Sequence, residues 1–192
     1  LKAELHLLAA LSDLGGVWSL DRVTGALSDF ADAAVETAFQ SVARAAVSRG
    51  RLAGPIDGQA GPIPGLFCLA MGKHGAGELN YSSDIDITFF YEPERLPLAE
   101  GVEPGDEAVR IAQGVARAMA DRTADGYVFR VDLRLRPDPS STPPAIPSAA
   151  AFTYYESVGQ NWERAAFIKA RAAAGDIPAG EAFLQELRPF VW

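Results

Sequence analysis

The stretch Leu79–Tyr91, LNYSSDIDITFFY, places two aspartates, Asp84 and Asp86, in a run that is otherwise apolar or weakly polar. An ionised carboxylate is costly inside a packed strand unless a cation meets it. In an extended strand residues i and i+2 share a face, so Asp84 and Asp86 project to one side while Ile85 and Ile87 enter the core. Two carboxylates on one face make a hard-oxygen site of the kind that suits Mg2+, which keeps some waters and takes further oxygens from substrate phosphates. A strand end in contact with solvent would also explain the pair, so the reading depends on what else converges there.

A second charged strand converges. In Tyr127–Arg136 the residues Phe129, Val131, Leu133 and Leu135 alternate with Arg130, Asp132, Arg134 and Arg136, giving one core face and one charged face. Asp132 is thus a third carboxylate, set among arginines. Three carboxylates can hold two metals across a transferring phosphoryl group, and arginines can grip its remaining oxygens in pairs. Upstream, MGKHGAGELNYSS, residues 71–83, has neither the Walker A nor the G-x-G-x-x-G spacing. Its glycines still allow backbone N–H groups at Gly72 to approach phosphate oxygens, with Lys73, Ser82 and Ser83 as side-chain donors. His74 has no evident partner for general-base chemistry and is assigned to structure or solvent.

The rest of the chain frames these motifs. Residues 1–52 are Ala/Leu-rich with helical spacing, ending at Gly50; residues 53–65 form a Gly/Pro linker; residues 66–147 hold the strands LFCLAMG and DIDITFFY, a helix over 106–122, the Tyr127–Arg136 strand and a Pro/Ser loop over 137–147. Residues 148–192 are expected to be a C-terminal helical segment, with Ser148 capping one helix and Gln160–Ala174 forming another. The 192 residues, 48% hydrophobic and 22% charged, are enough for one substantial core. The expected class is α+β, a mixed sheet backed by helices with helical extensions at both ends.

A net charge of −8 argues against sequence-independent binding of DNA or RNA, and no apolar run reaches membrane-spanning length. The single cysteine, Cys68, lies in an apolar strand and is expected to be a buried thiol in a reducing, cytoplasmic setting. The first residue, Leu1, and the apolar RPFVW at the end suggest a piece of a longer polypeptide.

Taken together, a Gly72-Lys73 turn, the Asp84-Ile85-Asp86 strand and the later Asp132 strand resemble the DNA polymerase β-like nucleotidyltransferase superfamily. More closely, MGKHGAGELNYSSDIDITFFY, FRVDLRLRPD and YYESVGQNWERAAFIKAR resemble the bacterial bifunctional glutamine synthetase adenylyltransferase/adenylyl-removing family. The continuation NWERAAFIKAR and RPFVW is similar to the N-terminal, adenylyl-removing half. His74 and Ala76 depart from the leucine and glycine of many members, and the 137–147 loop lacks a glycine common there.

The resemblance implies removal of AMP from a tyrosine of glutamine synthetase by phosphorolysis, with phosphate as co-substrate and ADP as product. It implies two Mg2+ ions, replaceable by Mn2+, on Asp84, Asp86 and Asp132. It also implies anion or substrate contacts from Gly72, Lys73, Ser82, Ser83, Arg130, Arg134 and Arg136, and from Glu163, Arg164, Lys169 and Arg171; on the expected Gln160–Ala174 helix, Arg164 and Arg171 are seven apart and share one face, as do Trp162 and Lys169. A nitrogen-signalling PII-type protein is an implied partner of the intact enzyme. The alternatives are ATP-dependent adenylylation on the same fold, and a non-catalytic regulatory module that would have no need of the three carboxylates.

Overall fold

The computed structural model describes residues 1–54 and 62–192, so residues 55–61 of the expected linker lie outside the described residues. Two helices open the chain: α1 (Lys2–Leu14) stops at Gly15 and Gly16, the latter at φ +67°, and α2 (Leu20–Ser48) begins on Ser19, whose hydroxyl accepts from the Arg22 N–H. Along α2, Val23, Leu27, Ala31 and Val35 recur every fourth residue and are buried. Gly50, at φ +66°, follows as a left-handed terminator.

Strand β1 (Leu66–Met71) leads into the single turn α3 (Gly72–Gly75), and β2 (Ile85–Tyr91) returns antiparallel to β1. Helix α4 (Pro104–Ala120) then crosses to β3 (Val131–Asp132), followed by β4 (Ala145–Pro147), α5 (Ser148–Ser157), α6 (Asn161–Phe167), β5 (Arg171–Gly175), α7 (Ile177–Glu186) and α8 (Arg188–Val191). The sheet order is β3-β2-β1-β5, with β4 also pairing to β2. β5 is antiparallel to β1, whereas β3 and β4 are both parallel to β2 and share its outer edge, one at each end.

Helices cover both faces of this mixed sheet. Leu66, Cys68, Ile85, Ile87 and Phe89 pack with α2 and α4, while Phe67, Leu69, Met71 and Phe90 pack with Tyr155, Phe167, Phe183 and Phe190 of the C-terminal helices. β1 is therefore buried on both sides, which is why it reads as an unbroken apolar run. Truncating Phe89 or Phe90 to alanine would cost about 3–5 kcal/mol. Cys68 is fully buried, and burial pushes its thiol pKa up.

Several expectations need correction. The alternating stretch Tyr127–Arg136 contributes only Val131 and Asp132 to the sheet, because the chain leaves the edge at Leu133 and rejoins it at Ala145. The loop between is tied by Arg136, which donates to the carbonyls of Leu133, Pro139 and Thr142. The residues read as loop to position 147 thus contain strand β4. The helix expected over Gln160–Ala174 ends at Phe167, and Arg171–Gly175 is a strand beside β1. The supposed helix faces pairing Arg164 with Arg171, and Trp162 with Lys169, do not exist. Ser148 is the first residue of α5 rather than a side-chain cap.

Candidate active site

The register of the sheet brings the aspartates together. Asp86 is the direct cross-strand partner of Asp132 in the parallel β2–β3 pair, and Asp84 stands two residues earlier on the same face. That face is the one whose continuation carries Phe90 toward the C-terminal helices. Beside it runs the turn after β1. Gly72 has φ +53°, and a Cβ there would lie 2.7 Å from Asp86 Oδ2, so only glycine leaves the carboxylate its place.

The electrostatics follow from this crowding. Burial first, and then the neighbouring Asp132 and Asp84, raise the Asp86 pKa above its usual value. No hydrogen bond or ion pair reaches the Asp86 carboxylate among the described residues. Two residues on, the buried Thr88 hydroxyl also lacks a partner. Asp132 is different: the Arg134 guanidinium grips it, with Nε 3.0 Å from Oδ1 and 2.9 Å from Oδ2, and holds its pKa down. Asp84 is paired with Arg130, which also donates to the Ser82 carbonyl and to the Tyr127 hydroxyl oxygen. Among the described residues no three carboxylate, histidine or cysteine side chains are gathered closely enough to hold a metal ion. Two of the three aspartates, Asp84 and Asp132, are turned onto arginines.

The donor set still fits a hard dication. Three aspartates on one face supply only oxygen ligands, and the unpartnered Asp86, with its raised pKa, carries the uncompensated charge that a cation would relieve.

The other candidate residues divide. Lys73 is exposed on α3 without a side-chain partner among the described residues, and it faces solvent beside Gly72. The Ser83 hydroxyl accepts from the Asn80 N–H, and the Ser82 N–H donates to the Asn80 side chain, so both serines shape the turn before Asp84. Glu163 is buried; its carboxylate accepts from the Gln160 N–H at 2.7 Å and from the Tyr154 hydroxyl, which makes it a capping residue of α6. Arg164 lies over the Phe190 ring. Lys169 pairs with Glu78 at 2.7 Å, and Arg136 is occupied by loop carbonyls.

Arg171 belongs to a network that the sequence does not reveal. Its guanidinium meets Asp32 of α2 and donates to the carbonyls of His74 and Gly75, while the fully buried His74 places Nε2 2.7 Å from Asp32 Oδ1. Burial alone would raise the Asp32 pKa, but hydrogen bonds from His74 and Arg171, and their charge, outweigh it and hold it low. Ser28 and Glu36 extend the same helix face, accepting from the N–H groups of Leu79 and Gly175. The only signal in the sequence is that Ser28, Asp32 and Glu36 recur every fourth residue along an otherwise apolar helix.

Comparison with known proteins identifies the family. Residues 1–186 match the family model described as Glutamate-ammonia ligase adenylyltransferase. The chain is similar to proteins named bifunctional glutamine synthetase adenylyltransferase/adenylyl-removing enzyme. Identity is 68% to the one from Caulobacter vibrioides, 58% to that from Bradyrhizobium sp. (strain ORS 278) and 53% to that from Rhodopseudomonas palustris (strain TIE-1). Each match covers all of this chain and 20%, 20% and 19% of the relative, so the chain spans about one fifth of their length. Among the described residues no helix is long and apolar enough to cross a membrane.

Proposed function

The chain belongs to the glutamate-ammonia ligase adenylyltransferase family, and from that footing we propose that it carries the site at which AMP is removed from an adenylylated tyrosine of glutamine synthetase by phosphate. The observation that carries the reading is the side-by-side register of Asp86 and Asp132, with Asp84 on the same face and Gly72 shaped around Asp86. A carboxylate triad on a sheet edge next to a glycine turn suits phosphoryl or nucleotidyl transfer, which needs little covalent work from the protein and much positioning and charge stabilisation.

In this reading Asp84, Asp86 and Asp132 would hold Mg2+, with Mn2+ able to substitute, and the metal would supply charge neutralisation at the transferring phosphoryl group. Arg130 and Arg134 then turn from the carboxylates to the anionic substrates. Both guanidiniums are solvent-exposed, so they can exchange partners at little cost. An oxygen of inorganic phosphate forms a bond to the AMP phosphorus. The bond from phosphorus to the tyrosyl oxygen breaks, its electron pair stays on that oxygen, and the products are ADP and the restored tyrosine. With a phenolic pKa near 10, the leaving group needs less proton donation than an alkoxide. In the same reading Lys73, exposed beside Gly72, meets the nucleotide phosphate.

NWERAAFIKAR supports the removing direction over addition. The test is the product: an enzyme containing this domain, given adenylylated glutamine synthetase and phosphate, should release ADP, and Asp86→Asn should abolish that release. Pyrophosphate production from ATP that depends on the same aspartates would assign the domain to adenylylation instead. A PII-type protein as regulator of the intact enzyme belongs to the same proposal.

A further inference from the structure

The turn after β1 is tied down on both sides of Lys73 but not at the Lys73 side chain. On one side β1 delivers the chain to Gly72, whose backbone lies against the Asp86 carboxylate. On the other, the buried His74 ring places Nε2 2.7 Å from Asp32 Oδ1, and the His74 and Gly75 carbonyls each accept from Arg171 at 3.2 Å. Gly75 is clamped as well: a Cβ there would sit 2.1 Å from the Lys169 carbonyl oxygen and 2.6 Å from that of Ala70. Farther along, Glu78 pairs with Lys169, and the Leu79 N–H donates to the Ser28 hydroxyl at 3.3 Å. Lys73 itself is exposed, with no side-chain partner among the described residues.

Asp32 is the hub of these ties. Its Oδ1 meets His74 and Arg171 Nη2, the latter at 2.9 Å, and its Oδ2 meets Arg171 Nη1 at 2.7 Å. Arg171 is thereby fixed at the angle from which Nε and Nη2 reach the turn carbonyls. Loss of Asp32 would loosen the turn through the imidazole and the guanidinium together. Helix α2, which carries Asp32, packs on the sheet face of Ile85 and Ile87, opposite to that of Asp86. Any influence of Asp32 on a ligand at the aspartate edge therefore passes through the turn.

We propose that Asp32 is a positioning residue for nucleotide binding, holding the turn through His74 and Arg171 so that Lys73 is presented to phosphate groups at the aspartate edge. The inference rests on the reading of that edge given above. A flexible segment must be ordered when its lysine binds, and a turn already fixed has lost the backbone share of that freedom beforehand. The direction of the effect separates positioning from charge. Removing a carboxylate makes its surroundings more positive and by itself tightens the binding of an anion. Loosening the turn weakens it.

The test is a double-mutant cycle on the binding of ADP in the presence of Mg2+, measured by titration calorimetry at a temperature where every variant is folded. Lys73→Ala should weaken ADP binding about tenfold. Asp32→Asn, close in shape but uncharged, should weaken it about three- to tenfold in the unaltered chain and by less than about twofold in the Lys73→Ala background. Ser28→Ala removes only the tie to Leu79 and carries the same test should Asp32→Asn not fold; its loss of about twofold should likewise vanish without Lys73. Unchanged or tighter ADP binding in Asp32→Asn, equal losses with and without Lys73, or no effect of Lys73→Ala would overturn the proposal. The reading of the aspartates is judged separately, by whether phosphate-dependent ADP release survives Asp86→Asn.

Discussion

Asp84 and Asp132 meet their arginines at an open edge, where Arg130 and Arg134 are 51% and 82% exposed, whereas Asp32 meets Arg171 and His74 beneath the neighbouring turn, where His74 is wholly buried. The two sets differ less in their aspartates, Asp132 being 17% and Asp32 25% exposed, than in the buried imidazole that Asp32 alone engages. An exposed ion pair contributes about 0–1 kcal/mol and exchanges partners readily. A buried, multiply bonded one is costly to break, because whichever group remains is stranded without water. The difference assigns the labour: the edge pairs can yield to substrate, and the multiply bonded Asp32, Arg171 and buried His74 fix the turn on which Gly72 and Lys73 stand.

The most severe way to break this contrast is Asp86→Asn. It should reduce phosphate-dependent ADP release about a thousandfold or more, as expected from losing several kcal/mol of metal-assisted stabilisation. The melting temperature should stay level or rise slightly, since one of three crowded carboxylates is neutralised. Retained turnover in this variant would remove the edge from the chemistry.

Asp32→Ala probes the buried side. It takes a shared partner from Arg171 and from the buried His74 at once and should cost about 2–3 kcal/mol. In a chain of this size that lowers the melting temperature by roughly 5–10 °C, measurable by calorimetry. A shift no larger than that of Arg130→Ala would erase the distinction between the two sets. Arg134→Ala is the milder counterpart. Stability should change by less than about 0.5 kcal/mol, while Mg2+ should bind more tightly, by roughly three- to tenfold in a calorimetric titration, because Asp132 no longer has a competing partner. Weaker Mg2+ binding would mean that the arginine helps to build the site rather than masking it.

The smallest effect concerns acid. Asp32 has a lowered pKa in the fold, so its ionised form stabilises the native state above the unfolded value near 3.8, and that contribution is lost as pH falls through the lower folded value. The stability gap between the wild type and Asp32→Asn should therefore be constant above about pH 5 and narrow below about pH 4 in urea titrations. A gap that persists at low pH would show that the hydrogen bonds to Asp32 matter without its charge.

The aspartate strand was legible because period-two alternation is a local signal: in DIDITFFY the parity of Ile85 and Ile87 fixes the face of Asp86. β5 was not, because RAAAG has the composition of a helix and becomes a strand only through pairing with β1, a tertiary effect that overrides propensity. The Tyr127–Arg136 alternation was half informative. It placed Asp132 on the face of Asp86, but could not show that Arg136 would find carbonyls at Pro139 and Thr142 and draw the chain off the sheet. Asp32 lay beyond reach for a simpler reason: its partners stand 42 and 139 residues away in sequence.

The interrupted outer edge has a consequence for self-association. A long, flat edge strand is a template on which another chain can add a strand, the first step toward fibrils. Here the outer rim is divided between two residues of β3 and three of β4, separated by a loop, and on the opposite rim the β1–β5 register slips between Cys68 and Leu69. Neither rim offers a foreign strand a continuous ladder of free N–H and C=O groups. The detour that carries Arg134 out toward solvent also keeps this sheet from being extended by its neighbours.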